Sequence, residues 1–180
     1  VSATALGMRH GKRFGLFTSF LDMLKVALPT LMVRLLFPDQ YLYLLTAIFG
    51  IAGHNYPLYY RFVGGRGDSP ILGAMIVINW FGIFIVNGAA MILGYLTGSV
   101  LVMRLGGNLL CIFWFWIYFY DIYPTLFMIG ANVLFWLSTS RDLERFYRLI
   151  KENKVNINQE FMSNALLMGG SIGRFMDRYG

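Results

Sequence analysis

Apolar residues run through most of this chain in long stretches, and its few charges gather between them. Residues 15–37 form a first stretch long enough to cross a bilayer, interrupted by Asp22 and Lys25; residues 41–60 form a second. Pro38-Asp39-Gln40 reads as the turn between them. From Pro70 to Leu137 the chain stays apolar, with Arg104 and Asp121 its only charges. Hydropathy alone divides that region into three spans, near 71–95, 99–120 and 122–139. Charge placement divides it differently. The basic segments 9–13, 61–66 and 141–154 belong on one side of a membrane, because Lys and Arg set orientation. An even number of spans must then separate the second from the third. The pattern therefore predicts four short spans of about 14–18 residues, broken near Asn87-Gly88, Leu105-Gly106-Gly107 and Asp121. The fold class expected is all-α, a polytopic integral membrane bundle of short transmembrane helices.

Composition strengthens this picture. Hydrophobic residues make up 57% of the chain and charged residues only 13%, with mean hydropathy +0.59, whereas soluble domains carry about 25% charged residues. The net charge of +6 reads as cytoplasmic-loop bias rather than a nucleic-acid surface, because the basic residues sit beside apolar spans. The single cysteine, Cys111, lies in an apolar run and acts as a buried filler. No Cys/His cluster points to a metal, and no cofactor is expected. Asp22 and Lys25, three apart on one helix face, can neutralise each other at membrane depth. Asn79 and Asn87 would share a face of a continuous helix, and hydrogen bonding between helices is the expected use for them.

Candidate chemistry concentrates in residues 53–67, which read GHNYPLYYRFVGGRG. Glycine accepts positive φ without steric cost, so Gly64-Gly65-Arg66-Gly67 can turn amides inward and form an anion-binding concavity. Arg66 can add a bidentate fork for phosphate. A basic turn that merely obeys the positive-inside rule is the competing reading of the same four residues.

The wider spacing resembles the second motif of PlsY-type bacterial acyl-phosphate:glycerol-3-phosphate acyltransferases, G-H-x-x-P followed by F-K-G-G-K-G. His54, Pro57, Phe62, Gly64, Gly65 and Gly67 fall in register; Val63 and Arg66 replace lysines. Upstream, Ser2-Ala3-Thr4-Ala5 and Gly11-Lys12-Arg13 resemble the end of the family's first motif, and Asp22 with Lys25 matches its following D-x-x-K. Downstream, Arg141, Glu144, Arg148 and Leu149 fall on a third motif, R-H-R-E-N-I-x-R-L. The resemblance implies a compact bundle of seven short helices, the first lying upstream of Val1. It implies His54 as the catalytic residue that organises the site. Gly64, Gly65, Arg66, Gly67, Lys25 and Arg9 would bind substrate phosphate, supported by Asp22, Pro57, Arg141, Glu144 and Arg148. The implied partners are acyl phosphate, glycerol 3-phosphate and membrane lipids, at the inner membrane with the motif loops cytoplasmic. An acyl phosphate is a mixed anhydride with a good leaving group, so proximity and cationic donors supply much of the rate.

Departures from the pattern keep a second reading open. Ala5 stands where the first motif has asparagine, and Met8 takes its arginine position, with Arg9 one step away. In the third motif Asp142 replaces histidine and Arg145 replaces asparagine. The alternative is a non-catalytic PlsY-like subunit of a membrane complex. Residues 141–154 are amphipathic and suit an interface with anionic headgroups. The expected division is 1–154 as the transmembrane domain and 155–180 as an extension, interfacial or bound to a protein partner.

Overall fold

In the computed structural model, which describes residues 10–62, 64–97 and 100–151, all regular structure is helical. The helices are α1 (Lys12–Leu36), α2 (Leu42–Asn55), α3 (Asp68–Thr97), α4 (Val100–Phe119) and α5 (Ile122–Lys151), with a 3-10 turn at Leu58–Tyr60. The chain is thus an all-α bundle. Its surface and interior follow membrane rules. Large apolar side chains such as Leu16, Leu35, Phe49, Phe84 and Leu96 stand exposed, while Asp22, Asn55, Asn79, Asn132 and Ser138 are buried. Arg13–Leu36, Asp68–Leu93 and Ile122–Ser140 have the length and hydropathy to cross a membrane, and Gly106–Phe119 is a shorter apolar helix. A helix satisfies its own backbone, which is why such surfaces take this form in lipid.

Small residues set how closely the helices approach. A Cβ on Gly73 would stand 2.3 Å from the Met23 carbonyl oxygen, so α3 lies backbone to backbone on α1. On the other flank of α1, a Cβ on Gly50 of α2 would meet Val26 Cγ2 at 3.0 Å. Both notches lie beside Asp22 and Lys25, and so fix where α1 presents them. Parallel to α2, α5 packs Gly130 against Ile48, where a Cβ would find Cδ1 at 3.3 Å.

Helix α3 is two arms rather than one rod. Asn79 has φ −153° and ψ 79°, outside the helical region. Its Oδ1 accepts the Gly82 N–H at 2.8 Å and caps the second arm. In a straight helix Asp68 and Met91 would stand about 35 Å apart. Here both line one cavity of about 250 Å³, together with Gly107, Asn108 and Phe135, so the second arm turns back beside the first. Arg34 from α1 meets the freed end of the first arm, donating to the Val77 carbonyl while lying 5.5 Å over the Tyr43 ring.

Four helical arms therefore run from residue 68 to residue 151, and two of the three breaks between them lie elsewhere than expected. Asn87-Gly88 is not a break: Asn87 Nδ2 donates to the Ile83 carbonyl at 2.8 Å inside the second arm. The expected interhelical bonds of Asn79 and Asn87 are likewise replaced by these local ones. Gly106 and Gly107 do not interrupt α4 either. They are packing notches, where a Cβ would stand 2.4 Å from Leu93 Cδ2 and 3.0 Å from Ala90 Cβ. The break at Asp121 is where it was expected. Tyr120 takes φ 46°, and Asp121 Oδ1 accepts the Tyr123 N–H at 3.0 Å to cap α5.

One end of the bundle collects the start of α1, the loop 56–67 and residues 138–140 of α5; the other collects residues 37–41 and 120–123. Ser19 and Ser69 hydroxyls meet at 2.7 Å at the first end, and Tyr41 stacks on Tyr123 at 4.6 Å at the second.

Candidate functional site

The glycine loop closes directly over the C-terminal end of α2. The Gly65 N–H donates to the His54 carbonyl at 3.2 Å. A Cβ on Gly64 would meet that carbonyl oxygen at 2.2 Å and Pro57 Cδ at 2.4 Å. A Cβ on Gly65 would stand 2.0 Å from His54 Nε2, and one on Gly67 2.7 Å from Asn55 Oδ1. Conformational freedom is required at Gly67, with φ +96°, and not at Gly64 or Gly65. Those two are glycine because the loop lies on the helix with no room for a side chain. Of the amides expected to turn inward toward an anion, that of Gly65 instead closes the loop.

The turn leading into the loop is strained. Arg61 and Phe62 both lie in the left-handed region, φ 52° and 62°, a conformation that costs non-glycine residues about 1–2 kcal/mol each. Pro57 holds the turn: its carbonyl accepts the Tyr60 N–H at 3.1 Å and the Phe62 N–H at 3.0 Å. Such strain persists where the surroundings over-determine it, a common property of binding loops.

Two helices anchor the loop from opposite sides. From α1, Asp22 Oδ1 takes a 2.8 Å bond from Lys25 Nζ and lies 3.6 Å from His54 Nδ1. The expected Asp22–Lys25 pair is therefore present, with the carboxylate buried and the Lys25 side chain 66% exposed. From α5, Ser138 Oγ lies 2.8 Å from the carbonyls of both Arg66 and Phe135. Asn55 Nδ2 donates to the Leu134 carbonyl at 3.3 Å. The cavity shared by the two arms of α3 starts at Asp68, one residue past the loop, and runs from Asp68, Asn87 and Asn108 to apolar Met75, Met128 and Phe135.

Of the candidate residues, the structure brings together Asp22, Lys25, His54, Pro57, Gly64, Gly65, Arg66 and Gly67. Arg9 lies outside the described residues, as does the extension 155–180. Arg141, Glu144 and Arg148 lie on the last turns of α5, at the same end of the bundle, and their side chains are outside the described set. Asn55 and Ser138 were not singled out in the sequence. Asn55 follows His54 and carried that positional signal; Ser138, inside an apolar helix, carried none.

The fold and loop together define a helical integral membrane bundle with a basic glycine loop pressed onto a helix end and a cation-bearing helix beside it. The sequence profile of the glycerol-3-phosphate acyltransferase family matches residues 1–151, and the chain belongs to that family. Glycerol-3-phosphate acyltransferase 1 of Oceanobacillus iheyensis is 26% identical over 167 residues, covering 86% of this chain and 77% of the relative. The glycerol-3-phosphate acyltransferase of Legionella pneumophila strain Corby is 27% identical over 171 residues, covering 87% of this chain and 56% of the relative. This chain thus spans only about half of some curated relatives. The fold is similar to the crystal structure of PlsY, an integral membrane glycerol 3-phosphate acyltransferase, in its glycerol 3-phosphate form. The TM-score is 0.70 at 20% identity, over 82% of this chain and 74% of that one. The lysophosphatidic acid form of that protein matches with TM-score 0.67 at 21% identity.

Proposed function

We propose that this chain transfers a fatty acyl group from acyl phosphate to the hydroxyl of glycerol 3-phosphate. The acyl carbon–oxygen bond to phosphate breaks as the ester bond forms, giving lysophosphatidate and inorganic phosphate. The observation that carries this reading is the glycine loop, held over the end of α2 with Arg66 in it and Lys25 beside it. Family membership and the names of the relatives support the same reaction.

Arg66 supplies a forked cation for a substrate phosphate, and Lys25 a point charge that Asp22 orients. These cations neutralise the two anionic substrates and stabilise charge on the departing phosphate. Holding anhydride and hydroxyl together supplies the rest through proximity. The substrate phosphate accepts the hydroxyl proton, so the altered third motif does not remove the reaction's only base. The site faces the cytoplasm at the inner membrane, because the basic loop and the basic end of α5 lie at one end of the bundle. The family match stops at residue 151, which supports reading 155–180 as an extension, interfacial or against a protein partner.

The test is direct. The purified full chain in lipid is incubated with acyl phosphate and labelled glycerol 3-phosphate, and lysophosphatidate is measured. Turnover is expected, with kcat/KM reduced about 10- to 100-fold in Arg66→Ala, the loss of a charge-assisted contact. No lysophosphatidate from the parent chain sinks the reading.

A further inference from the structure

We infer that His54 is a positioning residue, a strut that carries the placement of α1 into the phosphate loop, rather than the group that moves a proton. This rests on the phosphate-binding reading of the loop and changes the role of one residue within it.

The ring is used on both of its nitrogens. Nδ1 faces Asp22 Oδ1 at 3.6 Å, an electrostatic contact slightly longer than a hydrogen bond. Nε2, the atom a general base would turn toward a hydroxyl, faces the Gly65 backbone so closely that a Cβ there would lie 2.0 Å away. The His54 side chain is only 16% exposed, so little of the ring is left for substrate. A base must reach the proton it takes within about 3 Å or through one water. Here the backbone of Gly65 stands in that place.

The surroundings fit a strut. Asp22 is itself anchored by Lys25 at 2.8 Å, and α1 is locked beside α2 and α3 at Gly50 and Gly73. The path from α1 through Asp22 and the imidazole to Gly65 is therefore a chain of packed groups with little freedom. Its far end is the loop that carries Arg66. The ring sets the height of the loop above α2, and with it the position of the guanidinium. Proton removal falls to the substrate phosphate.

Two isosteric substitutions separate strut from base. Asparagine places an amide near the Nδ1 position and keeps the Asp22 contact but loses the one to Gly65; glutamine places its amide near Nε2 and keeps the Gly65 contact but loses the one to Asp22. The strut predicts that both variants raise KM for glycerol 3-phosphate at least tenfold, because each breaks one of the two contacts that hold the loop. In both variants kcat falls much less than a lost base requires. A loss of 10²-fold or more in kcat in both variants, with KM unchanged, is what removal of a general base gives and overturns the inference. A second measurement is independent of turnover. Nitrogen-15 spectra of the full chain, with His10 replaced by asparagine to leave one histidine, report the tautomer of His54. A proton on Nδ1, with a shift altered by Asp22→Asn, is expected. A proton on Nε2 alone, insensitive to Asp22→Asn, overturns the strut even if the parent shows no turnover. A silent parent with the Nδ1 tautomer sinks the acyl-transfer reading and leaves the strut standing.

Discussion

The hydroxyl of Ser138 on α5 lies 2.8 Å from the carbonyl of Arg66, 72 residues earlier in the chain. This contact pins the glycine loop to α5 as His54 pins it to α1. Ser138→Ala removes a part-buried bond worth about 1 kcal/mol. The expected outcome is a slightly lowered unfolding temperature in detergent and a several-fold rise in KM for glycerol 3-phosphate. Unchanged KM would mean that the loop holds its place without α5.

Asn79 makes a second testable contact, the cap on the returning arm of α3. Asn79→Ala removes it at a cost of about 1 kcal/mol, whereas Asn79→Ser keeps an oxygen able to accept the Gly82 N–H. Thermal unfolding in detergent is expected to place the Ser variant between Ala and the parent. Equal melting of Ala and Ser variants would remove the cap from the explanation of the bend.

At the opposite end of the bundle, Tyr41 donates to Asp121 Oδ2. The bond lowers the Asp121 carboxyl below its ordinary value of 3.8, helped by the Tyr123 N–H, and raises the Tyr41 phenol above 10.0. A lowered acid stabilises the fold above its unfolded value and loses that contribution as pH falls through the folded one. A raised phenol contributes below its unfolded value and loses it as pH rises through the folded one. The contact is therefore expected to act from roughly pH 4 to pH 10 and to fade outside that window. Melting temperatures of the parent and Asp121→Asn should differ at pH 7 and converge below pH 4. A gap that stays constant across the acid range contradicts this.

Sidedness follows from the gathering of basic residues at one end. Cysteines placed at Asp39 and Arg61, both exposed, are expected to label from opposite faces in right-side-out and inverted vesicles, with Arg61→Cys labelled from the cytoplasmic face. Buried Cys111 supplies little background. Labelling of both positions from one face rejects the assignment.

Much of the fold was legible because a membrane filters sequence severely. Apolar stretches of span length, the turn at Pro38, and the charge at Asp121 each carried a local signal for where helices start and stop. The Asp22–Lys25 pair was legible for a similar reason, since residues three apart on a helix must meet. Two local signals misled. Gly106 and Gly107 resemble a break in the sequence but are notches for Leu93 and Ala90. Asn79 resembles an interhelical bonding residue but ends one arm and caps the next. Both outcomes depend on which helix lies alongside, and a linear pattern does not record that.

By itself the sequence determined an all-helical membrane chain, the family it belongs to, and the segment 53–67 as the place to look for phosphate chemistry. Hydropathy, charge placement and motif spacing are properties of neighbours along the chain. Only the tertiary structure decided why Gly64 and Gly65 are glycine, what Asn55 and Ser138 hold, and which way the two nitrogens of His54 face. Those depend on residues 10 to 80 positions apart, brought within a few ångströms by close helix packing. At that range a single Cβ or one hydroxyl decides whether the loop can lie where it does.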